Sequence, residues 1–173
     1  MQPASQTPAP RRLVVIRHAQ AEQQGPTDFD RPLAAQGHRD ARAAGEWLAG
    51  QSFTLDAALV SAALRTRETW QSLCSASGYA EELAELDRGL YHAGCDSALD
   101  LIRLTSDEVG SLAVVGHNPT VEMLVHTLDD GTGVLDPSSG YPTAAMTVLE
   151  FEGSWADLAG QRARATGFHV ARG

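Results

Sequence analysis

Three short, wholly apolar runs, each ending at a polar cluster, set the terms for how this chain can fold. Leu13 to Ile16 runs into Arg17-His18, Ala57 to Val60 into Ser61, and Leu112 to Val115 into Gly116-His117-Asn118-Pro119. A strand with one wet face alternates apolar and polar residues. An unbroken apolar run of this length suits a strand buried on both faces, which requires helices above and below the sheet.

The segments between the runs read as those helices. Ala34 to Leu48 has helix-forming composition, an apolar stripe at Ala41, Ala44, Trp47 and Leu48, and a stop at Gly50. A second helix is expected over Ala63 to Ala76, with Leu64, Thr69 or Trp70, and Leu73 turned inward. Ala98 to Leu104 and Thr120 to Leu128 follow, the latter with Val121, Leu124, Val125 and Leu128 on one face. Glu82 to Leu90 reads as a strand followed by loop. Ala144 to Phe151 and Gly167 to Val170 read as late strands whose direction the pattern leaves open. Apolar strands alternating with helices predict an α/β fold: a three-layer α/β/α sandwich with a mostly parallel central sheet and helices on both faces. Residues 1–10, with three prolines, read as a flexible tail. No linker composition divides 11–173, which read as a single domain.

Charge narrows the partners. The 173 residues carry a formal net charge of -9, which repels phosphate backbones and argues against nucleic acid as a general partner. An anion site in such a chain has to be local and built from a few converging cations. Membrane association is not expected, since no stretch approaches the roughly 20 apolar residues of a spanning helix. The start of the chain lacks the apolar segment of a signal peptide. Cys74 and Cys95 have no metal-ligand spacing and read as reduced thiols of a cytoplasmic protein. All 13 basic residues are Arg, a composition associated with GC-rich bacterial genomes.

The polar clusters carry the chemistry. In open α/β sheets ligands bind beyond the carboxyl ends of the strands. Arg17, His18, Ser61 with Arg65 one helical turn on, and His117 with Asn118 all follow strand ends. Singly, each has a plain structural explanation; Asn118-Pro119, for example, suits a helix N-cap followed by the first helical position. Together, two arginines and two histidines at one sheet edge point to an anion. Phosphoryl transfer fits, because guanidinium forks match phosphoryl oxygens and a neutral imidazole is a competent nucleophile.

The motifs resemble a known family. Val14-Val15-Ile16-Arg17-His18-Ala19, Ser61-Ala62-Ala63-Leu64-Arg65-Thr66-Arg67-Glu68-Thr69 and Val114-Val115-Gly116-His117-Asn118-Pro119 are similar, in order and spacing, to the three motifs of the histidine phosphatase (phosphoglycerate mutase-like) superfamily. The small size and the segment Asp30-Arg31-Pro32-Leu33 to Gly37 resemble its SixA-type phosphohistidine phosphatase branch. The resemblance implies that His18 is the nucleophile and that Arg17 and Arg65 clamp the phosphoryl oxygens. His117 would contact the same oxygens, with Asn118 beside it. Ala19 stands where the wider family usually has Gly, and reads as a mark of that branch.

Many family members place a glutamate general acid between the second and third motifs. Glu85 is the first candidate here, Asp87 the second and Glu22 a third. An alkoxide leaving group needs a proton in the transition state, whereas the imidazole of a phosphohistidine leaves with little help. A site without a placed acid therefore favours phosphoramidates. The expected partner is a phosphorylated protein, or alternatively a small phosphate ester; a non-catalytic phosphate-binding module would usually have lost His18 or Arg65. No cofactor and no metal are expected, since the arginines and histidines supply the charge a magnesium ion would. His38, His92, His126 and His169 read as structural or surface groups.

Overall fold

A computed structural model describes residues 9–173. The flexible tail expected over 1–10 falls largely outside them. The strands are β1 (Arg11–Arg17), β2 (Ala57–Ser61), β3 (Ala84–Asp87), β4 (Ser111–Gly116), β5 (Ala145–Phe151) and β6 (Arg164–Val170). They form one sheet in the order β3-β2-β4-β1-β5-β6. β3, β2, β4 and β1 are mutually parallel, while β5 runs antiparallel to both β1 and β6. The sheet is therefore mostly parallel, and the late strand pair whose direction the sequence left open is antiparallel.

Among the described residues five α-helices cover it: α1 (Ala35–Ala49), α2 (Leu64–Ser77), the one-turn α3 (Gly89–His92), α4 (Cys95–Arg103) and α5 (Thr120–Leu128). The apolar runs work as two-sided strands. Leu13 and Val15 of β1, with Leu112 and Val114 of β4, join the core under α4 and α5. Val14, Ile16, Ala113 and Val115 join the opposite core under α1 and α2. Side chains of a strand alternate faces, so four consecutive apolar residues feed both cores. All eight are at most 3% exposed, and each such side chain contributes on the order of 2 kcal/mol through burial.

The α1–α2 pair packs closely because Gly45 of α1 faces the α2 backbone. A Cβ at Gly45 would lie 2.2 Å from the Leu73 carbonyl oxygen. At the start of the same helix, a Cβ on Gly37 would lie 2.0 Å from the carbonyl oxygen of Gln20, just beyond the strand-end histidine. Only glycine lets α1 sit directly on that loop.

Some local expectations change. Leu64 is half-exposed rather than inward, because it opens α2 and its N–H is taken by the Phe29 carbonyl. Thr69 and Trp70 are both buried. The expected strand-then-loop over Glu82 to Leu90 is a 3₁₀ turn at Glu81–Leu83, then β3, then α3, whose Leu90 N–H is accepted by Asp87 Oδ1 at 2.8 Å. Asn118 does not cap α5: Pro119 holds the N-cap position, after a cis peptide bond, and the Asn118 amide points elsewhere.

Candidate active site

The carboxyl ends of β1, β2 and β4 lie side by side, since Arg17 pairs with Gly116 and β2 runs parallel to β4. The residues that follow them therefore converge. A hollow of about 340 Å³ is lined by Arg17, His18, Arg65, His117 and Asn118, joined by Arg31 and Thr143.

His18 leaves β1 under tight backbone control. Its N–H donates to the Gly116 carbonyl (3.0 Å), and its carbonyl accepts from the Ala144 N–H (3.1 Å). The Ala19 N–H donates to Thr69 Oγ1 (3.0 Å), and that hydroxyl donates to the Arg65 carbonyl (2.6 Å). One threonine on α2 thus ties the histidine loop to the turn carrying Arg65. The Ala19 methyl is fully buried among the residues under α1 and α2, so an alanine there is packed rather than strained.

The ring of His18 is held in one orientation. Its Nδ1 lies 2.7 Å from the Ala19 carbonyl oxygen, which can only accept. Nδ1 therefore carries the proton, and Nε2 keeps its lone pair. Burial, reinforced by the guanidiniums of Arg65, Arg17 and Arg31, pushes the His18 pKa down to about 4. The ring is neutral near pH 7, the state in which an imidazole can act as a nucleophile.

His117 stands beside it, with ring centroids 5.3 Å apart. Its Nε2 is 2.8 Å from the Ser61 hydroxyl, which is fully buried at the end of β2. Burial first, then His18 and Arg65, pushes the His117 pKa down to about 3. When the Ser61 hydroxyl donates to Nε2, the proton of neutral His117 sits on Nδ1. Nδ1 is buried without a partner among the described residues, and so are Arg17 Nε and Arg65 Nε. Buried donors without partners are uncommon in folded proteins. Three of them lie on residues that line the hollow, as does one unpartnered acceptor, Asn118 Oδ1.

The arginines are oriented by backbone. Arg17 Nη1 donates to the Tyr141 carbonyl (2.9 Å), which also accepts from Asn118 Nδ2 (3.0 Å). Arg65 Nη1 donates to the Asp28 carbonyl (2.7 Å) and its Nη2 to Asp28 Oδ2 (3.2 Å).

Glu85 is not part of this group. It lies midway along β3, opposite Leu59 of β2, and lines a separate hollow with Leu101 and Leu104. β3 is the edge strand, and Glu85 sits two residues short of the level of Ser61. Asp87 reaches that level but lines the same separate hollow and accepts from Leu90. Glu22 is exposed. Among the described residues no carboxylate lines the His18 hollow. Of the other histidines, His38 bonds Ser72, His92 packs on Tyr91, His169 stacks on Trp47, and His126 lies on α5 away from the hollow. Arg31 and Thr143 were missed as site residues because they come from loops rather than strand ends. Arg31 had a signal in the Asp30-Arg31-Pro32-Leu33 segment; Thr143 had none.

A family model of the histidine phosphatase superfamily (branch 1) matches residues 13–98. The phosphohistidine phosphatase SixA of Escherichia coli K12 is 32% identical over 127 residues, which cover 69% of this chain and 75% of that protein. The chain belongs to the histidine phosphatase superfamily. It is a phosphatase of the SixA-type branch. An uncharacterized Mycobacterium tuberculosis protein is 36% identical over 165 residues, covering 91% of this chain and all of that one. A SixA-type structure from Nakamurella multipartitia superposes with a TM-score of 0.80 at 32% identity, over 96% of this chain and 99% of that one. Among the described residues, this histidine phosphatase has no group of three or more His, Cys, Asp or Glu side chains placed to hold a metal ion. No described helix is long and apolar enough to cross a membrane.

Proposed function

We propose that this phosphatase dephosphorylates phosphohistidine on a signalling or phosphotransfer protein of the cytoplasm, through a phosphohistidine intermediate on its own His18 and without a metal ion. The observation that carries the reading is the make-up of the hollow: three arginines, two neutral imidazoles and no carboxylate. His18 Nε2 attacks phosphorus, and the bond to the leaving group breaks as the new P–N bond forms. Arg17, Arg31, Arg65 and His117 Nδ1 surround the equatorial oxygens, where the charge of the transition state gathers. Water then attacks the phosphoryl group on His18, releasing inorganic phosphate and restoring the free ring.

With no acid lining the hollow, an alkoxide would have to leave unprotonated. An imidazole departs as a neutral molecule once its second nitrogen is protonated, so phosphohistidine is the better substrate. Two unbridged cysteines fit a reducing compartment.

The test is phosphate release from a histidine-phosphorylated protein and from p-nitrophenyl phosphate, with EDTA present, for the wild type and His18→Ala. The expected result is faster turnover of the phosphohistidine, unaffected by EDTA, and none in His18→Ala. Turnover of the aryl ester alone would move the substrate class to small esters. Activity in His18→Ala would remove the nucleophile.

A further inference from the structure

Two hollows meet at the mouth of the site. The inner one, of about 340 Å³, contains Arg17, His18, Arg65 and His117. The outer one, of about 550 Å³, contains Gly25, Thr27 and Asp28. They share Gln23 and Arg31. The two hollows thus adjoin across Gln23 and Arg31, which puts the outer one beside any phosphoryl group held in the inner one. Asp28 is the sole carboxylate among the described residues lining the outer hollow.

Asp28 is fixed at this junction. Its Oδ1 accepts from Arg31 Nε (3.0 Å), and its Oδ2 from Arg65 Nη2 (3.2 Å) and the Tyr91 hydroxyl. Tyr91 is braced edge-on against Phe29 (5.0 Å between centroids) and His117 (5.5 Å). A carboxylate offers about four acceptor sites. Three donors leave one open, on a side chain that is 58% exposed. The Tyr91 hydrogen bond first, then the charges of Arg65 and Arg31, hold the Asp28 carboxyl below the usual carboxylate range, so it is ionised near neutral pH. The titratable and charged groups that face it are Arg31 from its own loop, Arg65 from α2, Tyr91 from α3 and His117 from the turn after β4.

Building on the phosphohistidine reading above, we propose that Asp28 determines leaving-group specificity by accepting a hydrogen bond from the protonated second nitrogen of an N-phosphorylated imidazole in the outer hollow. The chemistry balances without another reactant. His18 Nε2 forms a bond to phosphorus, the substrate P–N bond breaks, and its electron pair returns to the substrate ring. A ring protonated on its other nitrogen leaves as neutral imidazole; an unprotonated ring would leave as imidazolate, a far stronger base. The Asp28 carboxylate favours the protonated ring by its charge and takes no proton itself. An aryl or alkyl ester offers no N–H at that place and gains nothing from the carboxylate.

The test compares wild type with Asp28→Asn, using phosphoimidazole and p-nitrophenyl phosphate. The readout is the ratio of the two kcat/KM values, which cancels the fraction of folded enzyme. A hydrogen bond to a charged group sets the scale: the ratio falls roughly 10- to 100-fold in Asp28→Asn. The alkaline limb of the phosphoimidazole profile also moves to lower pH, because the bound ring loses its proton more easily. A histidine-phosphorylated protein run alongside identifies the source of the ring. A fall with free phosphoimidazole assigns the outer hollow to the ring itself, and a fall with the protein alone assigns it to a ring that arrives on a protein. An unchanged ratio with both, whether each rate drops equally or neither does, reduces Asp28 to a prop for Arg65 and overturns the proposal. A wild type inert to every phosphoramidate but active on the ester is a different failure: it removes the phosphohistidine reading and this inference with it.

Discussion

Lowering the pH from 7 to 5.5 separates a histidine whose charge is set by burial from an ordinary one. An imidazole at 6.5 is about three-quarters neutral at pH 7 and about one-tenth neutral at pH 5.5, roughly an eightfold fall. With its pKa at about 4, His18 stays more than about 95% neutral at both. The assay is acylation by diethyl pyrocarbonate, which attacks the neutral ring, followed at His18 by peptide mass spectrometry. The ratio of the His18 rate at the two pH values to that of free imidazole treated in parallel removes the pH dependence of the reagent. Relative to free imidazole, His18 should gain roughly eightfold on acidification, and inorganic phosphate should protect it. The same shift affects stability. The unfolded chain takes up this proton below about 6.5 but the folded one only near 4, so the unfolded state binds more protons across that window and stability falls as pH drops through it. At pH 4 the loss attributable to His18 is about 3 kcal/mol, on the order of 1.4 per pH unit. In His18→Ala the slope of unfolding free energy against pH between 4 and 6.5 should shrink by about one proton. A His18 reactivity that merely tracks free imidazole would refute the claim that burial beside three guanidiniums sets its charge.

Other perturbations follow from the geometry. Arg65→Lys should lower kcat/KM roughly 100- to 1000-fold, the scale for losing a transition-state donor, because an ammonium cannot keep both bonds to Asp28 and still present a planar fork to the phosphoryl oxygens. Glu85→Gln should leave kcat on a phosphohistidine protein within about threefold of wild type in steady-state assays, since its side chain lines another hollow. Gly45→Ala should destabilise the protein by about 1–3 kcal/mol in urea unfolding, because its methyl would sit 2.2 Å from the Leu73 carbonyl oxygen and force α1 off α2.

The parts of this protein legible in its sequence are those where one physical demand dominates. Leu13 to Ile16 must hide four apolar side chains on two faces, and that fixes both the strand and the layers around it. Thr120 to Leu128 has a single apolar face, and the helix spans those residues. His18, Arg65 and His117 could be grouped because parallel strands deliver their carboxyl ends to one edge. Glu85 shows where this kind of reading stops. Its place depends on how far β3 slides along β2, a register that two polar residues on an edge strand do not specify. Asp28, Arg31 and Thr143 arrive on loops, whose paths are set by contacts such as the Leu33 N–H to Glu68 Oε2 bond (2.6 Å) rather than by any period in the sequence. The direction of β5 was equally hidden, since a buried strand has the same composition either way.

The position of β1 in the sheet bears on how the protein is made. β1 precedes the other described strands, yet its two neighbours, β4 and β5, come well after it in the sequence, with Arg12 beside Ser111 on one edge and Glu150 on the other. During synthesis an apolar strand with two open edges waits until Phe151 has cleared the ribosome before the second can be covered. Long-range pairing of this kind is slow and leaves sticky intermediates exposed, so yield in the cell should depend on chaperones and translation speed more than on the stability of the finished sheet. His18 is made before Gly116 and Ala144, so its backbone bonds to them can form only once both have been synthesised. A ribosome-bound fragment that stops before β5 should carry the whole Arg17-His18 motif and have no phosphatase activity.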